Sequence, residues 1–316
     1  MATLVPMSTV AFSAVVASPA AAHEHSNPNG GRGAAEMTTG HVFRSEPNLS
    51  ITKGTVVEGT SSSQSAARSS SVCWQSGNWS GYAVATAPPS GSSCSFPSSS
   101  SNPSYSGHYT SLSATWTVPT VTSGSSTYSS VWTGIDGFTN DDLIQAGTSQ
   151  DYISGKASYF AWWEILPAAD TTISSIAVDP GDSVTVSITK ETSAIKSPAT
   201  CSAGQWLITL TDNGSTSHSA QKEFATCQSY SGPATSAEYI VEAPEVNGSV
   251  ATLADYASAT LGAPSVLQVN GANVDLAAGT GGEMVQSSKV VSVPSEPDSA
   301  GDAITCAYSS SQPAAP

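Results

Sequence analysis

Ser183-Val184-Thr185-Val186-Ser187-Ile188-Thr189 alternates polar and apolar residues without a break. A period of two puts Val184, Val186 and Ile188 on one face and the hydroxyls on the other, the pattern of a half-buried strand. The turn Asp179-Pro180-Gly181-Asp182 precedes it. The same texture extends in both directions. Upstream lie Ala114-Thr115-Trp116-Thr117-Val118-Pro119, Ser130-Val131-Trp132-Thr133-Gly134-Ile135 and the aromatic run Ser158-Tyr159-Phe160-Ala161-Trp162-Trp163-Glu164-Ile165-Leu166. Downstream, Asn270-Gly271 joins Val266-Leu267-Gln268-Val269 to Ala272-Asn273-Val274-Asp275-Leu276, a strong hairpin signal. No stretch carries helical periodicity of useful length. The reading is all-β: one β-sandwich domain, within the roughly 200–250 residues such folds reach.

The chain has 316 residues, of which 10% are charged and 39% hydrophobic, with seven Trp. That is enough apolar material for a sizeable core, which excludes wholesale disorder. The longest apolar stretch is too short and interrupted to span a membrane as a helix. A formal charge of −15 argues against a nucleic-acid partner, which would need a basic surface. Residues 1–70 hold four basic and four acidic residues, so the whole imbalance belongs to residues 71–316, with five Lys, no Arg and 20 acidic residues. Once those carboxylates protonate, few cations remain to repel one another. A chain of this balance is suited to acid.

These patterns divide the chain into three segments. Residues 1–22 resemble a secretory signal, with an apolar region from Val10 to Ala17 and Ala20-Ala21-Ala22 as a small-residue cleavage site, although no cation precedes it. Residues 23–71 are rich in Gly, Ser, Thr and Asn and read as a pro-segment or flexible linker, with a short strand expected near Val56. Its cations Arg32, Arg44, Lys53 and Arg68 could draw it onto the acidic domain as a lid, or it is a spacer. Residues 72–316 form the β domain. The expected location is secreted and extracellular, and the expected state a monomer without a membrane partner.

The cysteines fit that setting. Cys201 and Cys227 lie 13 residues either side of Gly214, the turn of a long hairpin that begins with Trp206-Leu207-Ile208-Thr209-Leu210. Facing each other across the ladder, they would form a disulfide worth about 3 kcal/mol. Cys73 with Cys94 is a second expected pair, and Cys306 is left over.

Several chemistries drop out. There is no HExxH, CxxC, phosphate loop, G-x-S-x-G elbow, Asp-Thr-Gly or Asp-Ser-Gly, and no metal site is expected. The two histidines of the β domain, His108 and His218, fall on surface loops in this reading. What remains is a carboxylate among aromatics. Alternation puts Phe160, Trp162, Glu164 and Leu166 on one face, where a desolvated Glu164 becomes an acid–base candidate. Two other readings stay open on the residues alone. One is a jelly-roll glycosidase pairing Glu164 with Glu238 or Glu242. The other is a carbohydrate-binding module built on Trp79, Trp132, Trp162 and Trp163.

A series of motifs occurs in order along the same chain: Asn78-Trp79-Ser80-Gly81-Tyr82, Trp116-Thr117-Val118-Pro119, Trp132-Thr133-Gly134-Ile135-Asp136-Gly137, Leu143-Ile144-Gln145-Ala146-Gly147 and Ala161-Trp162-Trp163-Glu164-Ile165-Leu166-Pro167. Ala237-Glu238-Tyr239-Ile240-Val241-Glu242 and Leu253-Ala254-Asp255-Tyr256 come after them. The series resembles the glutamic peptidases, or eqolisins. That resemblance implies a sandwich of two long antiparallel sheets, of the concanavalin-like or jelly-roll type, and a catalytic pair of Gln145 and Glu164. It also implies a cleft lined or supported by Trp79, Trp132, Asp136 and Trp162, protein or peptide substrates and no cofactor. Ser149 stands where the fungal members carry an acid, and Trp163 and Ile165 flank Glu164 where they carry Tyr and Trp. The implied enzyme is an acid-active, pepstatin-insensitive endopeptidase. The chemistry suits the composition, because a histidine base would be protonated and useless in acid.

Overall fold

The computed structural model describes residues 43–44, 72–85, 103–122, 124–216, 219–221, 223–263, 265–277 and 281–316. Its strands are β1 (Phe43–Arg44), β2 (Val72–Ser76), β3 (Trp79–Ala85), β4 (Ser111–Thr117), β5 (Ser130–Asp136), β6 (Leu143–Ile153), β7 (Lys156–Ile165), β8 (Thr171–Thr172), β9 (Ser183–Lys190) and β10 (Trp206–Asp212). They continue as β11 (Phe224–Gln228), β12 (Ser236–Glu242), β13 (Glu245–Val246), β14 (Ser249–Val250), β15 (Ser258–Leu261), β16 (Gln268–Val269), β17 (Ala272–Asn273), β18 (Gly281–Gln286), β19 (Lys289–Pro294) and β20 (Ile304–Ala307). A 3₁₀ turn at Pro103–Tyr105 is the only helical element among the described residues. The all-β expectation holds.

Two sheets face one another. The first runs β8-β7-β6-β5-β12-β3-β18, antiparallel throughout, with β2 joining β18 in parallel. The second runs β11-β10-β9-β4, and β4 then leads through β15 to β20 and β19. Because β19 pairs with both β18 and β20, the sheets join along one edge. Between them lies the larger core. Tyr82, Val131, Ile135, Ile144 and Ala161 come from the first sheet, and Leu112, Trp116, Val184, Val186, Ile188, Ile208 and Leu210 from the second. Each such large apolar side chain, fully buried, contributes about 1.5–3 kcal/mol. The Trp116 indole donates to Thr148 Oγ1 at 3.0 Å, so the one polar atom that this core residue brings inside is satisfied.

The opposite face of the first sheet is also apolar. Trp74, Trp79, Ala83, Trp132, Phe138, Leu143, Trp162, Leu166 and Ile240 form a second buried cluster there. With both faces covered, β3, β5 and β12 are buried along their whole length and show no polar–apolar alternation. Within that face, the site is built.

The hairpin at Asn270-Gly271 forms as expected, with Gln268 opposite Asn273 and φ of 50° and 74° at the two turn residues. Both central residues are left-handed, as a type I′ turn requires. The Cys201–Cys227 disulfide is present, but for a different reason than equidistance from Gly214. In the ladder of β10 and β11 the residue opposite Cys227 is Leu207, and Cys201 reaches Cys227 from the connection before β10, where it bridges Ile195. The hairpin's register is centred beyond Gly214, so the symmetry argument placed both cysteines in a ladder that holds one. Cys73 is disulfide-bonded and Cys306 is a buried free thiol. Cys94, His218 and the strand expected near Val56 lie outside the described residues. His108 is exposed. From the segment read as a pro-segment, β1 pairs antiparallel with β13, Phe43 opposite Val246 and Arg44 opposite Glu245.

Candidate active site

A two-residue turn sets the centre of the site. Ser154 and Gly155 have φ of 51° and 78°, the hairpin turn compatible with tightly paired strands. It pairs Ile153 with Lys156, and eight residues further along the ladder Gln145 stands opposite Glu164. A slip of one residue would turn the two side chains to opposite faces. In this register Gln145 Nε2 donates to Glu164 Oε2 at 2.6 Å. Both side chains are buried, Glu164 at 1% exposure and Gln145 at 0%. They lie on the second apolar face, as do Trp162 of the same strand and Leu166 just beyond it, with Phe160 packed beside them. The face that alternation assigns to Glu164 is therefore the observed one.

Trp79, Trp132 and Trp162 share that face. Trp132 stands opposite Gly147, which in turn stands opposite Trp162, in the row next to the dyad. A methyl group on Gly147 would come 2.6 Å from Trp132 Cβ and 2.4 Å from the Val131 carbonyl, so glycine is what lets Trp132 lie so close to β6. The Trp132 indole donates to Glu242 Oε2 at 2.7 Å, and Asn78 Nδ2 donates to Glu242 Oε1 at 3.1 Å. Glu242 is thereby a buried anchor for Trp132. Trp79 meets Trp132 edge-on, with ring centroids 4.9 Å apart. The Nε1 atoms of Trp79 and Trp162 are buried and have no hydrogen-bond partner among the described residues. Two unmatched donors thus belong to the face that carries the Gln–Glu pair.

The model of the Peptidase A4 family matches residues 98–308, two thirds of the chain. The chain belongs to the Peptidase A4 family. It is 32% identical over 175 residues to aspergillopepsin-2 of Aspergillus niger, covering 48% of this chain and 57% of that protein. It is 34% identical over 131 residues to scytalidopepsin B of Scytalidium lignicola, covering 42% and 45%. The matched segments span about half the length of these curated relatives. A crystal structure of scytalido-glutamic peptidase with a transition state analog inhibitor superposes with a TM-score of 0.54 at 21% identity, covering 74% of this chain and 98% of that one. That likeness supports the sandwich fold.

In this Peptidase A4 member the fourth expected cleft residue, Asp136, holds a loop. Its Oδ2 accepts from Tyr230 Oη at 2.6 Å and the Ala234 amide at 2.7 Å, and its Oδ1 from the Thr235 amide at 2.8 Å and Asn140 Nδ2 at 2.9 Å. The Thr235 hydroxyl adds a fifth donor at 3.2 Å to Oδ1. The carboxylate thereby ties residues 230–235 and Asn140 to the end of β5.

Three further carboxylic acids, none of them assigned a role beside the dyad by sequence, are held off their ordinary range by the fold. Burial pushes Glu238 well above the usual range, opposed by the Ser236 hydroxyl and reinforced by Asp136. Burial likewise pushes Asp151 well above it, and Asp170 up to about 6. A one-dimensional signal for these existed only in part: Asp151 continues the odd-numbered face of β6 that carries Gln145.

Proposed function

We propose that the protein is a secreted acid endopeptidase whose Glu164 acts as general base on a water molecule, with Gln145 as its partner. The observation that carries this reading is the 2.6 Å hydrogen bond from Gln145 Nε2 to Glu164 Oε2 on a face walled by Trp79, Trp132 and Trp162. Ionised Glu164 takes a proton from water as the oxygen attacks the peptide carbonyl. It then returns that proton to the departing amine, so the carboxylate is regenerated at the end of each turnover. The amide of Gln145 does not titrate, so it can orient the water and donate to the tetrahedral oxyanion at any pH. The unmatched indole donors of Trp79 and Trp162 suit the backbone carbonyls of an extended peptide. The Cys201–Cys227 disulfide agrees with an oxidising compartment. Residues 23–71 fit a pro-segment, and the strand that β1 adds to β13 supports docking on the mature domain.

The glycosidase reading loses its geometry. Glu238 and Glu164 share a row of the sheet but are separated by β5 and β6, three strand spacings or roughly 14 Å between Cα atoms, and Gln145 on the intervening β6 is bonded to Glu164. Retaining chemistry needs the two carboxyl groups about 5–5.5 Å apart. Glu242 is engaged by Trp132 and Asn78. The sugar-binding platform of Trp79, Trp132, Trp162 and Trp163 is split by the sheet, because Trp163 packs against the sandwich core and the other three belong to the opposite face.

Digestion of denatured casein at about pH 3 tests the proposal, and cleavage unaffected by pepstatin is the expected result. Cleavage that appears only near neutral pH, or none across the acid range, contradicts it. In the same assay Gln145→Ala is expected to lower kcat by about 10²–10³, the range for one lost oxyanion donor.

A further inference from the structure

The row that carries the dyad extends past it. Across the sheet, Ala83, Glu238, Gly134, Gln145 and Glu164 are consecutive cross-strand neighbours on one face. Glu238 therefore lies two strand spacings from Gln145, roughly 9–10 Å between Cα atoms. Only glycine stands between them. A methyl group on Gly134 would come 3.0 Å from Gln145 Cβ, whereas opposed Cβ atoms ordinarily stand about 4.5–5.5 Å apart. β5 and β6 therefore approach each other closely at this pair, and no side chain stands between Gln145 and β12.

Two unmatched polar groups share this row. Glu238 is fully buried, and neither of its carboxyl oxygens has a hydrogen-bond partner among the described residues. The Ser236 hydroxyl is near on the same strand but also without such a partner. Gln145 Oε1, the end of the amide turned away from Glu164, is equally buried and equally unmatched. An amide has two faces of opposite character. Rotated by half a turn, Gln145 would present its oxygen to the Glu164 carboxylate, acceptor against acceptor. Something must hold the far end.

We propose that Glu238 is a positioning residue of this site, holding the Gln145 carboxamide oxygen from across Gly134 so that Nε2 stays turned toward Glu164. The proposal rests on the Gln145–Glu164 reading given above. Glu238 serves as donor in its protonated form, and its surroundings favour that form. Burial is the main cause, Asp136 adds to it from the end of β5, and the Ser236 hydroxyl opposes it. The other ionisable groups whose fields couple to it are the phenols of Tyr109, Tyr230 and Tyr239, none of them a cation. With only glycine between the two residues, a bridging water can close the span. As pH rises through its raised pKa, Glu238 loses the proton and with it the grip on Oε1. Activity then falls on the alkaline side.

The test measures kcat and KM against pH for the full chain and its Glu238→Ala and Glu238→Gln variants, with folding checked by near-ultraviolet circular dichroism. Glu238→Ala is expected to lose about 10- to 10²-fold in kcat, the scale of a misplaced catalytic group, with KM within about twofold. Glu238→Gln supplies an amide donor that never ionises, so it should recover most of that loss in acid. Its alkaline limb should move upward by at least about half a pH unit. A folded Glu238→Ala with the kcat and pH profile of the parent overturns the proposal, as does a Glu238→Gln whose alkaline limb coincides with the parent's. Should Glu238→Ala not fold, the limb of Glu238→Gln decides alone. Glu164→Gln separates the two levels. If it is inactive while the Glu238 variants behave as the parent, only the positioning role fails; if it is active, the dyad itself fails.

Discussion

Replacing Glu164 by Gln is expected to lower kcat by about 10³–10⁴-fold, the upper range for a lost general base, while leaving the fold intact. The side chain is 1% exposed and accepts the Gln145 amide at 2.6 Å. A Gln at 164 keeps volume and can still offer its carbonyl oxygen to Gln145 Nε2, so packing and that hydrogen bond survive. What disappears is the only atom of the dyad able to take a proton from water. A thermal midpoint within a few degrees of the parent, together with the lost turnover, is the expected pair of results. Parent-like turnover would remove Glu164 from the mechanism.

The second large effect is on stability, and it runs opposite to the usual acid denaturation. Asp151 and Glu238 are held well above their ordinary range and Asp170 at about 6, each mainly by burial. An unfolded carboxyl group releases its proton near pH 4. Between that value and the raised one, the native state binds more protons than the unfolded state, so stability falls as pH rises. Asp170 alone, raised from 3.8 to about 6, contributes up to about 3 kcal/mol of that loss. Asp151 and Glu238 act in the same direction and over a wider window. The −15 charge at pH 7 adds self-repulsion there. Calorimetry from pH 3 to pH 7 is expected to show the highest Tm near pH 3–4 and a fall of at least about 6 °C by pH 7. Asp151→Asn or Asp170→Asn should flatten the curve at its neutral end. A Tm that rises toward pH 7 contradicts this account.

The second sheet was legible because it obeys the simplest rule. Val184, Val186 and Ile188 of β9 face one core, their neighbours are partly exposed, and the alternation is visible in the letters. Parts of the first sheet obey no such rule. Trp79–Ala85 and Ser236–Glu242 are buried on both faces, one against the sandwich core and one against the tryptophans of the site, so small and polar residues appear where alternation predicts neither. Motifs within both stretches carried the family resemblance, whereas periodicity marked neither as a strand. The dyad was legible as a pair through the family resemblance, not through periodicity or spacing. Its pairing depends on the Ser154-Gly155 turn, a two-residue punctuation mark whose register places position 145 opposite 164.

Other features needed three dimensions. Of the two roles expected for Asp136, lining or supporting, its contacts are of the supporting kind: its donors come from Tyr230, Ala234, Thr235 and Asn140, the first three nearly a hundred residues away. Glu238 read as one of two acids on a strand, and only the order β12-β5-β6-β7 brings it into the dyad's row. The disulfide was predicted correctly from spacing, although the spacing argument misplaced Cys201 in the ladder.

The central claim, that Glu164 delivers water to the peptide bond rather than attacking it, is tested most directly by isotope transfer. A single turnover is run in H₂¹⁸O with enzyme in excess over a peptide substrate, and both product and enzyme are examined by mass spectrometry. Direct attack by water puts one ¹⁸O into the new carboxyl group of the product and leaves the Glu164 carboxylate unlabelled. Nucleophilic attack by Glu164 would form an anhydride whose hydrolysis at the glutamyl carbon hands an unlabelled oxygen to the product and leaves ¹⁸O in the enzyme. Labelled product and an unlabelled Glu164 peptide are expected; ¹⁸O found in Glu164 after one turnover contradicts the mechanism.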